Sequence, residues 1–186
     1  MKKLLSLLLC LCLLGACACA AAETKTVTEF EDLTLETSVS VQEGTKNPSA
    51  TLFSYVPYGA SGDYGTNVNS VFLGAGPFDG ITAKDYSDAI RGMQSQLLSQ
   101  YDSIGVTLDS FEIHDAVDAE RWGMKTFVME IDAAGKTSTG DPFILYQRQL
   151  VVFGSFGAYC FTITSSDKAT LDKAEEELIA SVTWKK

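Results

Sequence analysis

From Leu33 the chain alternates apolar-facing and polar positions, with Leu33, Leu35, Thr37, Val39 and Val41 on one side of "LTLETSVSV". That is the period of a half-buried strand. "EGTKNPS" interrupts it with turn residues. Two further strands, "ATLFSYV" and "NVNSVFL", flank the Tyr/Gly/Ser loop "PYGASGDYGT". From Thr82 the period changes. Tyr86, Ile90, Met93, Leu97 and Tyr101 recur at steps of three and four, which predicts one helix of about five turns with a single apolar stripe. Thr82 and Asp85 stand at its start as a capping box. Four more strands follow, "VTLDSFEI", "WGMKTFVMEI", "FILYQRQLVVF" and "FGAYCFTIT". The third is apolar on both alternating faces, which places it centrally with cover on both sides. A last helix, starting at Ser166 or Asp167, buries Leu171, Ala174, Leu178 and Val182. Its other face, with Lys168, Asp172, Lys173, Glu175, Glu176 and Glu177, is expected to be solvated.

The order is three strands, a helix, four strands and a helix. It predicts an α+β domain, a mainly antiparallel sheet of about six to seven strands flanked by two helices. The opening "FEDLTLETSVSV", the "NVNSVFL" strand before the helix and the tail "LYQRQLVVFGSFGAYCFTITSSDKATLDKAEEELIASVTW" resemble the Mog/PsbP-like α/β/α sandwich. That group holds the PsbP photosystem accessory proteins, a Ran-binding nuclear transport factor and many bacterial lipoproteins of unknown function. The resemblance covers nearly the whole body as a pattern of elements and implies an accessory or binding role. The group shares no catalytic residue set, so it assigns no functional residue here.

The N-terminus sets the compartment. "MKKLLSLLLCLCLLGACACAAA" places Lys2 and Lys3 ahead of an apolar run and then small residues, the layout of a secretory signal. Leu14-Gly15-Ala16-Cys17 resembles the bacterial lipobox, in which the cysteine becomes the first mature residue and carries the lipid. The expected division is a signal peptide over 1–16, a tether over 17–30 and one domain over 31–186. A cut before Cys19, or after Ala22 to give a secreted soluble protein, is the alternative. No other stretch is apolar for the roughly 18 residues that a transmembrane helix takes. An exported protein, lipid-anchored at the cell surface or in the periplasm, is therefore expected.

Charge narrows the partners. The chain carries 24 acidic and 14 basic residues, a net charge of −10, and loss of Lys2 and Lys3 with the signal makes the body more acidic still. Nucleic acid is excluded as a partner on this balance. Of five cysteines, only Cys160 lies in the body, so the framework is not disulfide-built; within "YCFTI" it reads as a small buried hydrophobe.

No catalytic set assembles. "GAGPFDG", residues 74–80, offers Gly74 and Gly76 to a dinucleotide fingerprint but Asp79 at the third position, a negative charge where a pyrophosphate would sit. It reads as a strand-to-helix connection, and no nucleotide or other cofactor is expected. His114 is the only histidine and reads as a solvent-facing strand-end residue. A catalytic zinc wants three protein ligands, so no metal is expected, and Asp63 lacks the spacing of a calcium loop. Arg148, between Gln147 and Gln149, is expected to pair with Glu130 or Asp132 on a neighbouring strand; a clamp for a ligand carboxylate is the other reading. Tyr55, Tyr58 and Tyr64, among Gly and Ser, form the candidate partner-binding loop. The leading function is a lipid-anchored, non-enzymatic accessory or binding protein of the bacterial envelope. The alternatives are a secreted hydrolase using His114 with Asp115, or Cys160, and a scaffold subunit of an envelope assembly.

Overall fold

A computed structural model describes residues 25–44, 52–57, 66–76, 78–103 and 105–185 of the chain. The elements run β1 (Thr26–Glu29), β2 (Leu33–Thr37), β3 (Gln42–Glu43), β4 (Leu52–Tyr55), β5 (Asn67–Gly74), α1 (Ala83–Arg91), α2 (Gln94–Ser103), β6 (Thr107–Ile113), β7 (Val117–Arg121), β8 (Met124–Lys136), β9 (Pro142–Gly154), β10 (Gly157–Ser165), α3 (Lys168–Ser181) and β11 (Val182–Trp184). The fold is α+β, and its strand pairs are antiparallel. Among the described residues the large sheet has the order β3-β4-β5-β10-β9-β8-β6, with β7 also paired to β8, and a small sheet has the order β1-β2-β11.

Several expectations change in detail. Among the described residues the strands number eleven rather than six or seven. Thr26–Glu29 falls in the stretch assigned to the tether, yet it pairs with β2 in register from Thr26↔Thr37 to Glu29↔Thr34; only a partner edge makes a strand of so short a polar segment. The predicted five-turn helix is two helices, broken between Arg91 and Gln94, where Gly92 puts the weakest ordinary helix former into the run. The stripe itself persists: Ile90 and Met93 are buried, Tyr86 and Leu97 pack beside them, and Tyr101 meets Phe111 at 6.1 Å between centroids. The Thr82/Asp85 capping box is present.

Trp122 and Gly123, read from sequence as the start of a strand, form instead the two-residue turn between β7 and β8, with φ values of 53° and 72°. Two successive positive φ angles match the twist of a tight hairpin. Glycine adopts this at no cost; tryptophan does not.

Two hydrophobic cores sandwich the large sheet. Toward α3 and the small sheet lie Phe53, Leu150, Phe161 and Ile163, with Leu33, Leu35, Leu171 and Leu178 closing over them. Toward α1 and α2 lie Phe127, Met129, Ile131, Val151 and Cys160, beneath Ile90 and Met93. β9 contributes Leu150 and Val152 to one core and Val151 to the other, the central place its two-faced apolar pattern predicted. At ~25 cal/mol per Å², each such fully buried side chain contributes roughly 1.5–3 kcal/mol before conformational entropy is subtracted.

Candidate functional site

β6 and β7 pair with successive halves of the same edge of β8. Between the pairs Ile113↔Ile131 and Val117↔Val128 the outer chain advances four residues and β8 three, so one extra residue is accommodated at 114–116. Such a bulge re-aims side chains. Helix α1 holds it from beneath: Ser87 Oγ accepts the Ala116 N–H at 2.8 Å, and Arg91 Nη2 donates to Ile113 O at 3.1 Å.

The bulge separates the two residues offered as a His-Asp pair. Asp115 turns to Arg91 at 2.8 Å. His114, half-exposed, stands 3.3 Å from Asp132 through Nε2 and 3.7 Å from Glu112 through Nδ1. Asp132 in turn takes Lys168 of α3 at 3.2 Å. Cys160 is 1% exposed in the core on the α1 side, whereas Asp132 and Lys168 put His114 on the α3 side. Burial pushes the Cys160 thiol up to about 11. The two groups that a thiol-imidazole pair would need lie on opposite faces of the sheet. Among the described residues no three His, Cys, Asp or Glu side chains are arranged to hold a metal.

Arg148 explains the polar interruption in β9. Its guanidinium bonds Glu130 at 2.6 and 3.1 Å, Glu175 at 2.6 Å and Asp172 at 2.9 Å. Burial works against the charged form, but the bonds to Glu130, Glu175 and Asp172 outweigh it and raise the pKa. The expected partner Glu130 is there; Asp132 is not, because it pairs with Lys168 and stands beside His114. With its donors spent on three carboxylates, Arg148 does not serve as a ligand clamp. Glu175, placed on a solvated face by the sequence, is 7% exposed and also accepts from Arg121 at 2.8 Å. This network pins α3 to β8 and β9.

Tyr55 is 3% exposed and belongs to the core under α3; burial, then Glu177, raises its phenol pKa. Its ring is committed to packing. Tyr58 and Tyr64, with Cys17, Cys19 and Asp63, lie outside the described residues. The glycine loop has Gly74 and Gly80 at positive φ, and the start of α1 is capped by Thr82 and Asp85 of the chain itself.

What the sequence did not single out is the α1-side surface of β4, β5, β10 and β9. Cross-strand register aligns Ser54, Asn69, Thr162 and Gln149 in one row, and Asn67, Thr164 and Gln147 in the next. Asn69, Gln149 and Thr164 are buried; Asn67, Gln147, Thr162 and Ser54 are half-buried. Asn69 donates to Asn67 Oδ1 at 2.7 Å, Tyr86 donates to Gln149 Oε1 at 2.6 Å, and Gln149 Nε2 reaches Gln147 Oε1 at 3.5 Å. Among the described residues Thr164 Oγ1 has no hydrogen-bond partner. An unpaired buried hydroxyl costs about 1–3 kcal/mol. The opposite face of the same strands carries Phe53, Val68, Phe161, Ile163 and Leu150. The signal was available: polar residues recur at period two in "NVN", "TIT" and "QRQ", inside strands otherwise apolar.

No protein-family model matches the chain, and no curated protein does. Among solved structures, one similar chain is a protein of unknown function from Pseudomonas aeruginosa, 14% identical, at a TM-score of 0.30 over 83% of this chain and 90% of that one. Another is LpqN of Mycobacterium tuberculosis, described as involved in cell envelope biogenesis, 12% identical, at a TM-score of 0.33 over 89% of this chain and 87% of that one. Superpositions this loose carry no functional argument.

Proposed function

We propose that the protein is a lipid-anchored, non-enzymatic binding module of the bacterial cell envelope, built on a Mog/PsbP-like body. The observation that carries the binding role is the uncharged row of amide and hydroxyl side chains on the α1-side face of β5, β10 and β9, where Asn67, Gln147 and Thr162 are half-buried. Support for anchoring comes from the signal and from Leu14-Gly15-Ala16-Cys17; two acyl chains give the stable tether that one does not. Among the described residues no helix is long and apolar enough to cross a membrane. Against catalysis stand the burial of Cys160 and its placement across the sheet from His114.

Anchoring is tested by feeding expressing cells an alkyne fatty acid. The wild-type chain should be labelled and stay with membranes washed in high salt, whereas Cys17→Ala should be unlabelled and released by that wash. An unlabelled, soluble wild type overturns the lipid anchor. Binding is tested separately: the unlipidated Cys17→Ala chain should still co-sediment with isolated envelopes, and a chain that stays entirely in the supernatant defeats the binding role.

A further inference from the structure

One end of the large sheet is aromatic. The register brings together there the close of β5, the start of β10, the close of β9, the start of β8 and the close of β7: Gly74 stands opposite Ala158, Gly157 opposite Gly154, Val152 opposite Thr126 and Arg121 opposite Met124. Five strands about 4.8 Å apart make an edge roughly 20 Å long. Phe156, in the β9–β10 turn, lies flat on Trp184 at 4.5 Å, and Trp184 meets Trp122 of the β7–β8 turn at 5.8 Å. Phe72 continues the group through Tyr159 at 5.0 Å. On the α1 side Phe78 meets Phe153 at 5.6 Å. Phe72, Phe78, Trp122, Phe153, Phe156 and Trp184 are all half-buried, whereas Phe53, Phe127 and Phe161, further along the strands, are 0% exposed.

The turns that close this end are small and nearly uncharged. Residues 74–80, 122–125 and 153–157 carry only Asp79 and Lys125 as charged side chains, which cancel, in a chain of net charge −10. Lys185 and Asp32 beside them are committed, to Glu29 at 2.6 Å and to the Tyr159 hydroxyl at 3.0 Å. Half-buried tryptophan and phenylalanine around neutral turns suit the boundary between lipid headgroups and acyl chains. The tether brings that boundary within reach. Residues 17–25, at ~3.6 Å each, put β1 at most about 32 Å from a lipidated Cys17, less than the roughly 40 Å width of a domain of this size. So short a tether holds the domain against the bilayer at millimolar effective concentration, where a contact too weak to form from solution suffices.

We propose that the anchored domain docks by this aromatic end onto the neutral headgroup region of the phospholipid bilayer that carries its lipid, an inference that rests on the lipid-anchored reading above. Trp122, Phe156 and Trp184 meet the interface as one stacked group, already ordered by packing, so little side-chain freedom is lost on contact. Docking turns the opposite end of the sheet, where Lys136 pairs with Pro142 across the β8–β9 turn, away from the membrane. Without the tether the contact is reversible and is lost to washing.

The experiment reconstitutes the lipidated wild-type chain into vesicles of phosphatidylcholine, either plain or brominated near the top of the acyl chains, and reads tryptophan emission. Trp122 and Trp184 are the only tryptophans, so the signal reports this end of the sheet. Bromine quenches an indole only at close range, so indoles seated at the interface should lose roughly a third or more of their emission in the brominated lipid. Equal emission in the two lipids overturns the proposal. The pair Gly76→Asp and Ser155→Asp sets a carboxylate on each of two exposed turn tips, and a Cβ at Gly76 meets open space. These surface changes should leave the melting temperature within a few degrees and remove most of the quenching, because a carboxylate resists transfer out of water. A folded variant quenched as strongly as the wild type also overturns the proposal. A wild-type chain that takes the fatty-acid label yet emits equally in both lipids keeps its anchor and loses the dock; an unlabelled wild type defeats both.

Discussion

Ser87 Oγ accepts the backbone N–H of Ala116 at 2.8 Å while donating to Ala83 O at 3.0 Å within α1. The bulge at 114–116 takes Ala116 out of the β8 ladder, and a buried N–H must find an acceptor elsewhere. Ser87, 1% exposed, is that acceptor. It ties the first helix to the edge of the sheet and so to the position of His114.

Ser87→Ala therefore leaves the Ala116 N–H unpaired in the core. Urea unfolding should show a loss of about 1–3 kcal/mol. A loss below about 0.5 kcal/mol, the size of an ordinary surface change, would show that the bulge is held without Ser87.

Arg148→Met should be among the most damaging single changes in the body. It takes Arg148 from Glu130 and from the Glu175 carboxylate, whose side chain is 9% exposed and which then keeps only Arg121, and breaking such a buried pair costs up to about 3–5 kcal/mol. The contact with Asp172, 62% exposed, adds little because solvent screens it. Adding Glu175→Gln removes the stranded charge, so the double variant should recover part of the loss. A double-mutant cycle should return a coupling of about 0.5–3 kcal/mol; strictly additive losses would mean that the two side chains do not interact in solution.

Alkaline pH should destabilise the protein through Cys160. Burial raises its thiol from 9.0 to about 11. A raised folded value favours the protonated form, so the stabilisation is complete below pH 9 and is lost as pH rises from there through 11. At about 1.36 kcal/mol per unit this amounts to roughly 2–3 kcal/mol. Tyr86, raised well above its ordinary value by burial and by Cys160, acts in the same direction above pH 10. Unfolding free energies measured from pH 8 to 11 should fall, and Cys160→Ala should flatten the first part of that fall. In the same range native Cys160 should resist alkylation that it accepts in urea. Rapid alkylation of the folded chain at pH 8 would contradict its burial.

Trp122 sets backbone cost against packing. Its φ of 53° costs about 1–2 kcal/mol for a non-glycine residue. Its indole donates to Ile179 O at 3.0 Å and packs at 5.5 Å from Phe161 and 5.8 Å from Trp184. Truncating a fully buried aromatic costs about 3–5 kcal/mol, and half-buried Trp122 loses a part of that larger than the backbone cost, so packing wins. Trp122→Asn, which suits the turn, should still lower stability by about 1–3 kcal/mol in thermal unfolding. A more stable variant would show that the turn geometry dominates.

By itself the sequence determined the secondary structure wherever periodicity is local. The two-faced run in β9, the Leu171/Ala174/Leu178 stripe of α3 and the Thr82/Asp85 cap need only near neighbours to be read, because burial and capping act at spacings of two, three and four. It also set the acidic balance and the layout of the leader. Tertiary structure alone decided what depends on contacts across the chain. β1 is a strand because β2 offers an edge. Trp122 sits in a turn because Phe161, Trp184 and Ile179 hold it there. Glu175 is buried because Arg121 and Arg148 come from other strands to neutralise it. Asp115 is drawn away from His114 because α1 places Arg91 against the bulge. The polar rows on β5, β10 and β9 are three separate period-two patterns in sequence. They become one surface only when antiparallel register sets Asn69 opposite Thr162 and Thr162 opposite Gln149, because hydrogen bonding between strands, not sequence distance, decides which side chains stand side by side.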